Sequence, residues 1–292
     1  MTVHEMGEIK RLVEFENMIF GDSPSFSKLE NIEEGFLIKT LTKAPSIRPF
    51  LIDEIVSLCK EYCESQSFKY ELISHCSKKM PTIVYRLFRL GVYSVSDIQN
   101  EMHRNNSFSF CSFFRDHVDN VVSIIRESCF PREMSSSEFS QIPANELESM
   151  IKYGFLENTI GYSLKYDDVD KLLQILDCQS PNQVDDIKWP HFEWALKPNS
   201  LNLLAIAGFF SSIKCFKHLL IKGFSISEKV LQCVVFGGSL SIFHLCHEYW
   251  NVFTEANCFA AEYCRTNLLE YFFQNGFSLN VQNCYIISHS IV

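Results

Sequence analysis

The 292-residue sequence contains few of the residues that interrupt helices, with 11 glycines and 9 prolines. It also lacks segments in which apolar and polar residues alternate, the pattern of a half-buried strand. Both features argue against a loop-rich β fold. The hydrophobic fraction is 47%, and 26 residues are phenylalanine. An A/T-rich coding sequence would, however, raise the phenylalanine count in any fold. The composition favours packed helices.

Clustered positive charge is also missing. The formal net charge is −9, and residues 201–292 carry five basic and five acidic side chains with no basic stripe. Nucleic-acid binding needs clustered Lys and Arg to neutralise phosphates. We therefore expect no nucleic-acid partner.

No apolar run is long enough to span a membrane, since the longest, Leu203–Ile213, falls well short of roughly 18–20 residues. Charged residues punctuate Met1–Phe20, so no signal-peptide core is expected there. The twelve cysteines include no CxxC pair, and most lie in apolar helical patterns. These features predict a soluble cytoplasmic protein with free, buried thiols and no membrane contact.

Catalytic signatures are absent: the sequence has no GxSxG, HExxH, Walker or GxGxxG motif. We expect neither enzymatic activity nor a cofactor. The densest group of soft metal ligands is His244, Cys246 and His247, with His218 a candidate neighbour, and it keeps zinc as an alternative. The acidic residues at 167, 168 and 170 could bind a cation, but a first helical turn also favours acidic side chains.

A phrase of two apolar pairs four residues apart, followed by a glycine, recurs along the chain. Pairs at this spacing share one face of a helix, and the glycine suits a left-handed helix end. Copies occupy 83–92, 147–155, 215–224 and 268–277, and two without the glycine occupy 167–176 and 238–246. The glycines predicted to form the structural repeat turns are Gly91, Gly154, Gly223 and Gly276.

A short apolar helix is predicted just upstream of each of the last three phrases, at 203–209, 229–236 and 257–263. Small residues such as Ala205, Ala207 and Gly208 would let these helices pack closely between neighbours. Aligned units recur at Ser211, Gly238 and Cys264, a step of 27 and then 26 residues. Helices with a single apolar stripe bury it by stacking, so the sequence predicts an α-solenoid of stacked helix pairs.

The Gly-Phe-Ser-Leu-Asn end at 276–280 resembles the end of an ankyrin repeat. More closely, 165–176, 189–194 and 203–224 resemble a divergent ankyrin-associated domain of unknown function found in large families of parasitic protists. The resemblance implies an all-α, ankyrin-like α-solenoid that binds proteins, with a less regular helical N-terminal region. The step is shorter than the usual ~33 residues, and the Thr-Pro-Leu-His signature is missing, so reduced hairpin fingers are expected.

The domain organisation predicted from these features has five parts. They are an N-terminal helix and loop at 1–44, a helical region at 45–131, a Ser-rich linker at 132–144, the repeats at 145–282 and a tail at 283–292. Within the second part, an amphipathic helix is expected from Cys111 to Cys129. An aromatic insert at 189–199 interrupts the repeats.

That insert supplies the residues predicted to contact a partner: Trp189, His191, Phe192 and Trp194. Large aromatic side chains dominate binding hot spots because they bury much area at low entropic cost. The alternative is that the rings fill the core where the repeat is interrupted.

The predicted function is a non-enzymatic scaffold or adaptor for an unidentified protein partner. Two alternatives stay open: a metal- or thiol-dependent enzyme built from scattered His and Cys residues, and a truncated, non-functional family member. After Asn280 the sequence has no polar capping helix, so self-association through an uncapped C-terminal repeat is also expected.

Overall fold

The computed structural model describes residues 34–47, 51–126, 129–130, 135–178, 192, 202–249, 256–263 and 265–275. Every regular element in these ranges is a helix, which confirms the predicted all-α class. The chain divides into two compact units. Unit 1 contains the described residues up to Gly154 together with Phe192, and unit 2 contains those from Phe155 onwards. None of the described helices combines the length and apolar character needed to cross a bilayer.

Unit 1 contains nine described helices, and some of them begin at clear local start signals. Pro81 opens one helix, where its missing N–H is harmless, and a capping box between Ser94 and Asp97 opens the next. The helices are α1 (Glu34–Ile47), α2 (Ile52–Tyr62), α3 (Gln66–Lys79), α4 (Pro81–Arg89), α5 (Val95–Arg104), α6 (Phe108–Cys111), α7 (Val121–Ile124), α8 (Ser136–Gln141) and α9 (Ala144–Tyr153), with a 3₁₀ turn at Ser112–Phe114.

The first four helices of unit 1 pack as two stacked pairs. Helix α1 packs against α2, and α3 packs against α4, while α1 also contacts α3 and α2 contacts α4. Helix α3 lies centrally, because it further contacts α5 and α6 and buries Phe68, Leu72 and Cys76. This part of unit 1 therefore also contains helix pairs.

The single helix predicted from Cys111 to Cys129 is wrong. Helix α6 ends at Cys111, and after the 3₁₀ turn the chain reverses at Asn120, whose φ is 58°. Asparagine tolerates the left-handed region better than most residues. The turn lets Val118 and Val121, on either side of it, both reach the core.

The Ser-rich stretch predicted as a linker contains helix α8. A capping box between Ser135 and Glu138 starts this helix. Its Phe139 side chain is buried, with its ring 5.0 Å from that of Phe108. One apolar residue thus anchors an otherwise polar segment to unit 1, and the boundary between the units lies after Gly154.

Unit 2 contains eight described helices that form four consecutive pairs. We call the first helix of each pair the inner helix and the second the outer helix. The pairs are α10 (Ile160–Lys165) with α11 (Val169–Cys178), α12 (Leu203–Phe209) with α13 (Ile213–Ile221), α14 (Glu228–Gly237) with α15 (Leu240–Leu245), and α16 (Ala256–Glu262) with α17 (Thr266–Gln274). A 3₁₀ turn at His247–Tyr249 follows α15.

Each inner helix of unit 2 packs against its own outer helix and against the inner helices of neighbouring pairs. Helix α12 contacts α10 and α14, and α14 contacts α16. The outer helices follow the same order, since α13 contacts both α11 and α15. Consecutive pairs are therefore stacked side by side.

Equivalent turns join the inner and outer helices. Asp167, Ser211 and Gly238 follow three successive inner helices with φ values of 55°, 61° and 76°. After the first two, the next N–H bonds the carbonyl five residues back: Asp168 to Ser163 and Ser212 to Ala207, both at 2.9 Å. The 27-residue step from Ser211 to Gly238 thus connects matching positions.

Small residues allow the inner helices α12 and α14 to approach closely, as the sequence predicts. A Cβ atom on Gly208 would lie 2.9 Å from Cγ2 of Val234, closer than van der Waals contact allows. Every residue of α12 is apolar and buried, and α14 buries six apolar residues. The core of unit 2 is centred on this pair of helices.

Candidate protein-binding surfaces

The glycines predicted as repeat turns have left-handed backbone conformations at helix ends. Gly91 and Gly223 follow helices α4 and α13 with φ values of 75° and 91°, and Gly154 follows α9 with 77°. The N–H groups of Val92 and Phe224, next in the chain, bond carbonyls five residues back, at 3.0 and 3.1 Å. Gly91 and Gly223 therefore end two copies of the phrase in one geometry. Gly276 lies outside the described residues.

The aromatic insert is described at one residue, Phe192. Its side chain is only 5% exposed, and its ring packs edge-on against Phe113 at a centroid distance of 5.0 Å. Phe113 and its neighbour Phe114 are themselves buried in unit 1. Phe192 thus has the surroundings expected of a core residue. Trp189, His191 and Trp194 lie outside the described residues, so their role as partner contacts stays a prediction.

A row of aromatic rings crosses unit 2 at the C-terminal ends of the inner helices. The Phe209 ring is stacked on that of Phe236 at 4.2 Å and 12°, and Phe236 meets Tyr263 edge-on at 4.5 Å. In the other direction, Phe209 lies 5.0 Å from Phe210. Such pairs contribute about 0.5–1.5 kcal/mol each beyond area burial, so this row helps to join neighbouring helix pairs.

The Lys165 ammonium group connects the row to Tyr166. Lys165 Nζ lies 5.6 Å from the Phe210 ring centroid and 5.9 Å from that of Tyr166. Tyr166 is 44% exposed, so the row reaches the surface at this end.

The aligned units carry a sequence signal for the aromatic row, which was not among the predicted site residues. Tyr166 and Phe210 each stand one residue before the left-handed turn that ends their inner helix, and Phe236 stands two residues before Gly238. Aromatic residues therefore recur at the two positions that precede the turn. The sequence could not indicate which rings face one another, because that depends on how the helices stack.

Polar contacts also connect neighbouring pairs at the turns. The Asp167 carboxylate accepts hydrogen bonds from the backbone N–H groups of Cys215 and Lys214, at 2.9 and 3.2 Å. It thereby caps the N-terminus of the next outer helix, α13. The Ser211 hydroxyl donates to the Gly237 carbonyl at 3.0 Å, and the buried Arg265 guanidinium donates to the Phe236 carbonyl.

In the acidic group at 167, 168 and 170, two carboxylates accept hydrogen bonds from N–H groups at helix N-termini. While Asp167 caps α13, Asp168 Oδ1 accepts the N–H of Lys171 at 3.0 Å at the start of its own helix. Both carboxylates thus satisfy helix N–H groups that otherwise lack partners. Asp170 is exposed.

The histidine and cysteine group predicted as a zinc alternative is divided between different environments. His247 Nδ1 lies 2.9 Å from the Tyr271 hydroxyl, and the His244 ring packs 5.3 Å from the Tyr271 ring. Cys246, which lies between the two histidines in the sequence, is fully buried. Among the described residues, no three His, Cys, Asp or Glu side chains are arranged to hold a metal ion.

The described cysteines are free thiols, and most are buried. Burial raises the pKa of Cys63 to about 11 and the pKa of Cys233 and Cys246 to about 12. Burial also raises the pKa of Cys59 and Cys76 well above the usual value. A nucleophilic cysteine needs a lowered pKa, and these five thiols are protonated at neutral pH.

Comparisons with known proteins found nothing: no family model, no curated protein and no solved structure matches this chain.

Most of the exposed large apolar side chains in the described part of unit 2 lie on or beside the outer helices. Ile221 at the end of α13 is 82% exposed, and Leu240, Leu245 and Tyr249 are exposed on or beside α15. Lysines 214 and 217 are exposed on α13. Together they form a surface that can contact a protein through apolar burial and charge.

Proposed function

We propose that this chain is a non-enzymatic scaffold or adaptor that binds another protein through an ankyrin-like α-solenoid. The observation that carries the proposal is the order of helix contacts in unit 2. Inner helices α10, α12, α14 and α16 contact one another in sequence, and outer helices α11, α13 and α15 do the same. Stacked pairs of this kind form extended surfaces, the usual binding sites of repeat proteins.

The state of the described thiols supports a binding role over thiol chemistry. Cys63, Cys233 and Cys246 keep their protons at neutral pH because burial raises their pKa. With a pKa of about 11, roughly one thiol in ten thousand is ionised at pH 7. Binding to a protein partner needs no ionised side chain and no cofactor.

A cytoplasmic location is part of the proposal. Nine cysteines in the described ranges are free thiols, and several lie in adjacent helices of one core. Free thiols persist in reducing compartments, whereas oxidising compartments favour disulfides. Fractionation of cells that express the full chain tests this part, and recovery in an oxidising compartment would contradict it.

The binding role is tested by affinity capture from native lysate with the full chain as bait. A double variant, Trp189→Ala with Trp194→Ala, tests the predicted contact residues, and circular dichroism verifies that it is folded. We expect reproducible partners for the wild-type bait, with fewer recovered by a folded double variant. If the variant unfolds, the rings belong to the core, and partner capture by the wild-type chain alone then tests the function.

Elemental analysis of the purified protein provides an independent check on the non-enzymatic assignment. We expect no stoichiometric zinc, and zinc at one equivalent per chain would contradict this part of the proposal. Light scattering tests self-association through the C-terminal repeat, and a monomer at all concentrations would refute that expectation.

A further inference from the structure

One side of outer helix α13 combines positive charge with an exposed aliphatic side chain. Lys214, Lys217 and Ile221 stand three and four residues apart, so they lie along one side of the helix. All three are exposed, and Ile221 is 82% exposed. We call these three residues the lysine face.

No acidic residue of α13 neutralises this charge, since the helix sequence is IKCFKHLLI. Lys214 and Lys217 form no ion pair with any described side chain. Lys222, just beyond the helix, lies 4.0 Å from Asp177. The Asp167 carboxylate lies at the start of α13 and accepts the backbone N–H of Lys214, so Lys217 carries the charge that is farther from an acidic side chain. The lysine face is therefore a local positive region on a chain of net charge −9.

The neighbouring outer helix α15 extends the surface with apolar side chains and one histidine. Helices α13 and α15 are in contact. His244 occupies the position in its unit that Lys217 occupies 27 residues earlier, and it is exposed. Leu245 and Tyr249 are 38% and 43% exposed on the same element and the turn that follows it. A single surface thus combines cationic and large apolar side chains.

We propose that this surface binds an acidic amphipathic helix of a partner protein. Carboxylates on the partner would pair with Lys214 and Lys217, while aliphatic side chains on it would cover Ile221 and Leu245. Laying an amphipathic helix along an apolar surface is a common mode of recognition. Opposite charges at the rim set orientation and partner choice more than affinity. This inference rests on the proposed protein-binding function and adds the class of partner.

Nucleic acid fits the surface less well, although it too is anionic. A phosphate backbone offers nothing to bury against Ile221, Leu245 and Tyr249. Glu248, exposed between the last two, would repel phosphates. An acidic helix can instead place its aliphatic side chains there and keep its carboxylates near the lysines.

Selection from a displayed library of random peptides of about 16 residues, which is about four helical turns, tests the inference with the full chain as target. The selected peptides are then synthesised with a fluorescent label for anisotropy titrations. Two charge-reversal variants are compared, Lys214→Glu/Lys217→Glu and the control Lys78→Glu/Lys79→Glu. The control changes two exposed lysines of unit 1 by the same charge.

We expect the selected peptides to be rich in Asp, Glu and Leu-type residues, and to bind at least about tenfold more weakly to Lys214→Glu/Lys217→Glu than to wild type. An Ile221→Ser variant should also weaken binding, and the control should bind like wild type. Added salt should weaken binding through the charged contacts.

The inference is overturned if no peptide is selected, if the peptides lack acidic residues, or if binding is insensitive to Lys214→Glu/Lys217→Glu. Tighter binding of single-stranded DNA than of any peptide, sensitive to the same variant, would overturn it in favour of nucleic acid. If lysate capture still yields specific partners for both charge variants, this surface is refuted while the scaffold function stands.

Discussion

Gly237 and Gly208 lie so close together that a Cβ atom on Gly237 would overlap the carbonyl oxygen of Gly208. The two glycines belong to consecutive inner helices, α14 and α12, which are in contact along their lengths. This approach lets the Phe209 and Phe236 rings stack at 4.2 Å beside the two glycines. Close backbone contact and ring stacking thus join one helix pair to the next.

Substitution Gly237→Ala should destabilise the protein by about 1–3 kcal/mol, because the new methyl group forces α12 and α14 apart. The measurement is the free energy of unfolding from urea titration followed by circular dichroism. Gln232→Ala, a half-buried position of the same helix, is the control and should change stability by less than about 0.5 kcal/mol. An unchanged free energy for Gly237→Ala would show that the helices are not packed this closely.

At Gly223 the constraint is conformational rather than steric. Its φ is 91°, and an added Cβ would meet nothing within 4 Å. Gly223→Ala should therefore destabilise the chain by about 1–2 kcal/mol, and Gly223→Asn by less, since asparagine tolerates this backbone better. Gly91→Ala should match Gly223→Ala, because Gly91 ends α4 with the same hydrogen bonds. Equal stabilities of the Ala and Asn variants would argue against the left-handed turn.

The cap that Asp167 provides to the next helix pair should be measurable as stability. Asp167→Ala loses the acceptor for the N–H groups of Lys214 and Cys215, and it also places alanine at a φ of 55°. We expect a loss of about 1–2 kcal/mol. Asp167→Asn, which keeps an acceptor and suits the backbone, should lose less. Asp170→Asn, at an exposed position, is the control; a loss equal to that of Asp167→Ala would contradict the capping role.

Phe192 should behave as a core residue of unit 1. Replacing it with alanine removes the ring packed on Phe113, so Phe192→Ala should destabilise the protein by about 3–5 kcal/mol. Phe192→Leu, which keeps much of the volume, should lose less. Both are measured by urea unfolding. A stable Phe192→Ala variant that fails to capture partners would instead place this ring in a binding surface.

Stability should fall in alkaline solution because buried thiols resist ionisation. The folded pKa of Cys233 and of Cys246 is about 12, whereas an unfolded thiol has a pKa near 8.5. The folded state thus binds more protons between these values. The resulting stability is complete below about pH 8.5 and is lost as pH rises towards 12, by up to about 1.4 kcal/mol per pH unit for each thiol.

Urea titrations at pH 8 and pH 10 measure this effect. A Cys233→Ala/Cys246→Ala variant should lose less stability between the two pH values than wild type. The two proteins would show the same pH dependence if these thiols had the same pKa in the folded and unfolded states. That result would also weaken the argument against thiol chemistry.

Much of the fold was predictable because helix formation depends on neighbours in sequence. Apolar pairs four residues apart predicted the outer helix α13, and the glycines at 91, 154 and 223 marked helix ends. The left-handed turns at Asp167 and Ser211 were not predicted, since neither residue type requires that backbone. Their conformation follows from closing each inner helix onto its outer helix.

The candidate binding surface was less predictable than the fold. On sequence grounds Phe192 and its neighbours could be either partner contacts or core residues. Its packing against Phe113, about 80 residues earlier, separates these roles. The exposure of Ile221 was hidden for the same reason, because an apolar residue at a helix end is buried or exposed according to what packs against it.

Local chemistry in the chain accounts for the helical class, the helix boundaries and the repeating unit, because periodicity and end signals act over a few residues. Folding in three dimensions settled the rest: which helices stack, which rings face each other, and which lysines remain exposed. Those properties depend on groups far apart in the chain. No short segment contains the information that places Gly237 against Gly208 or leaves Lys217 facing solvent.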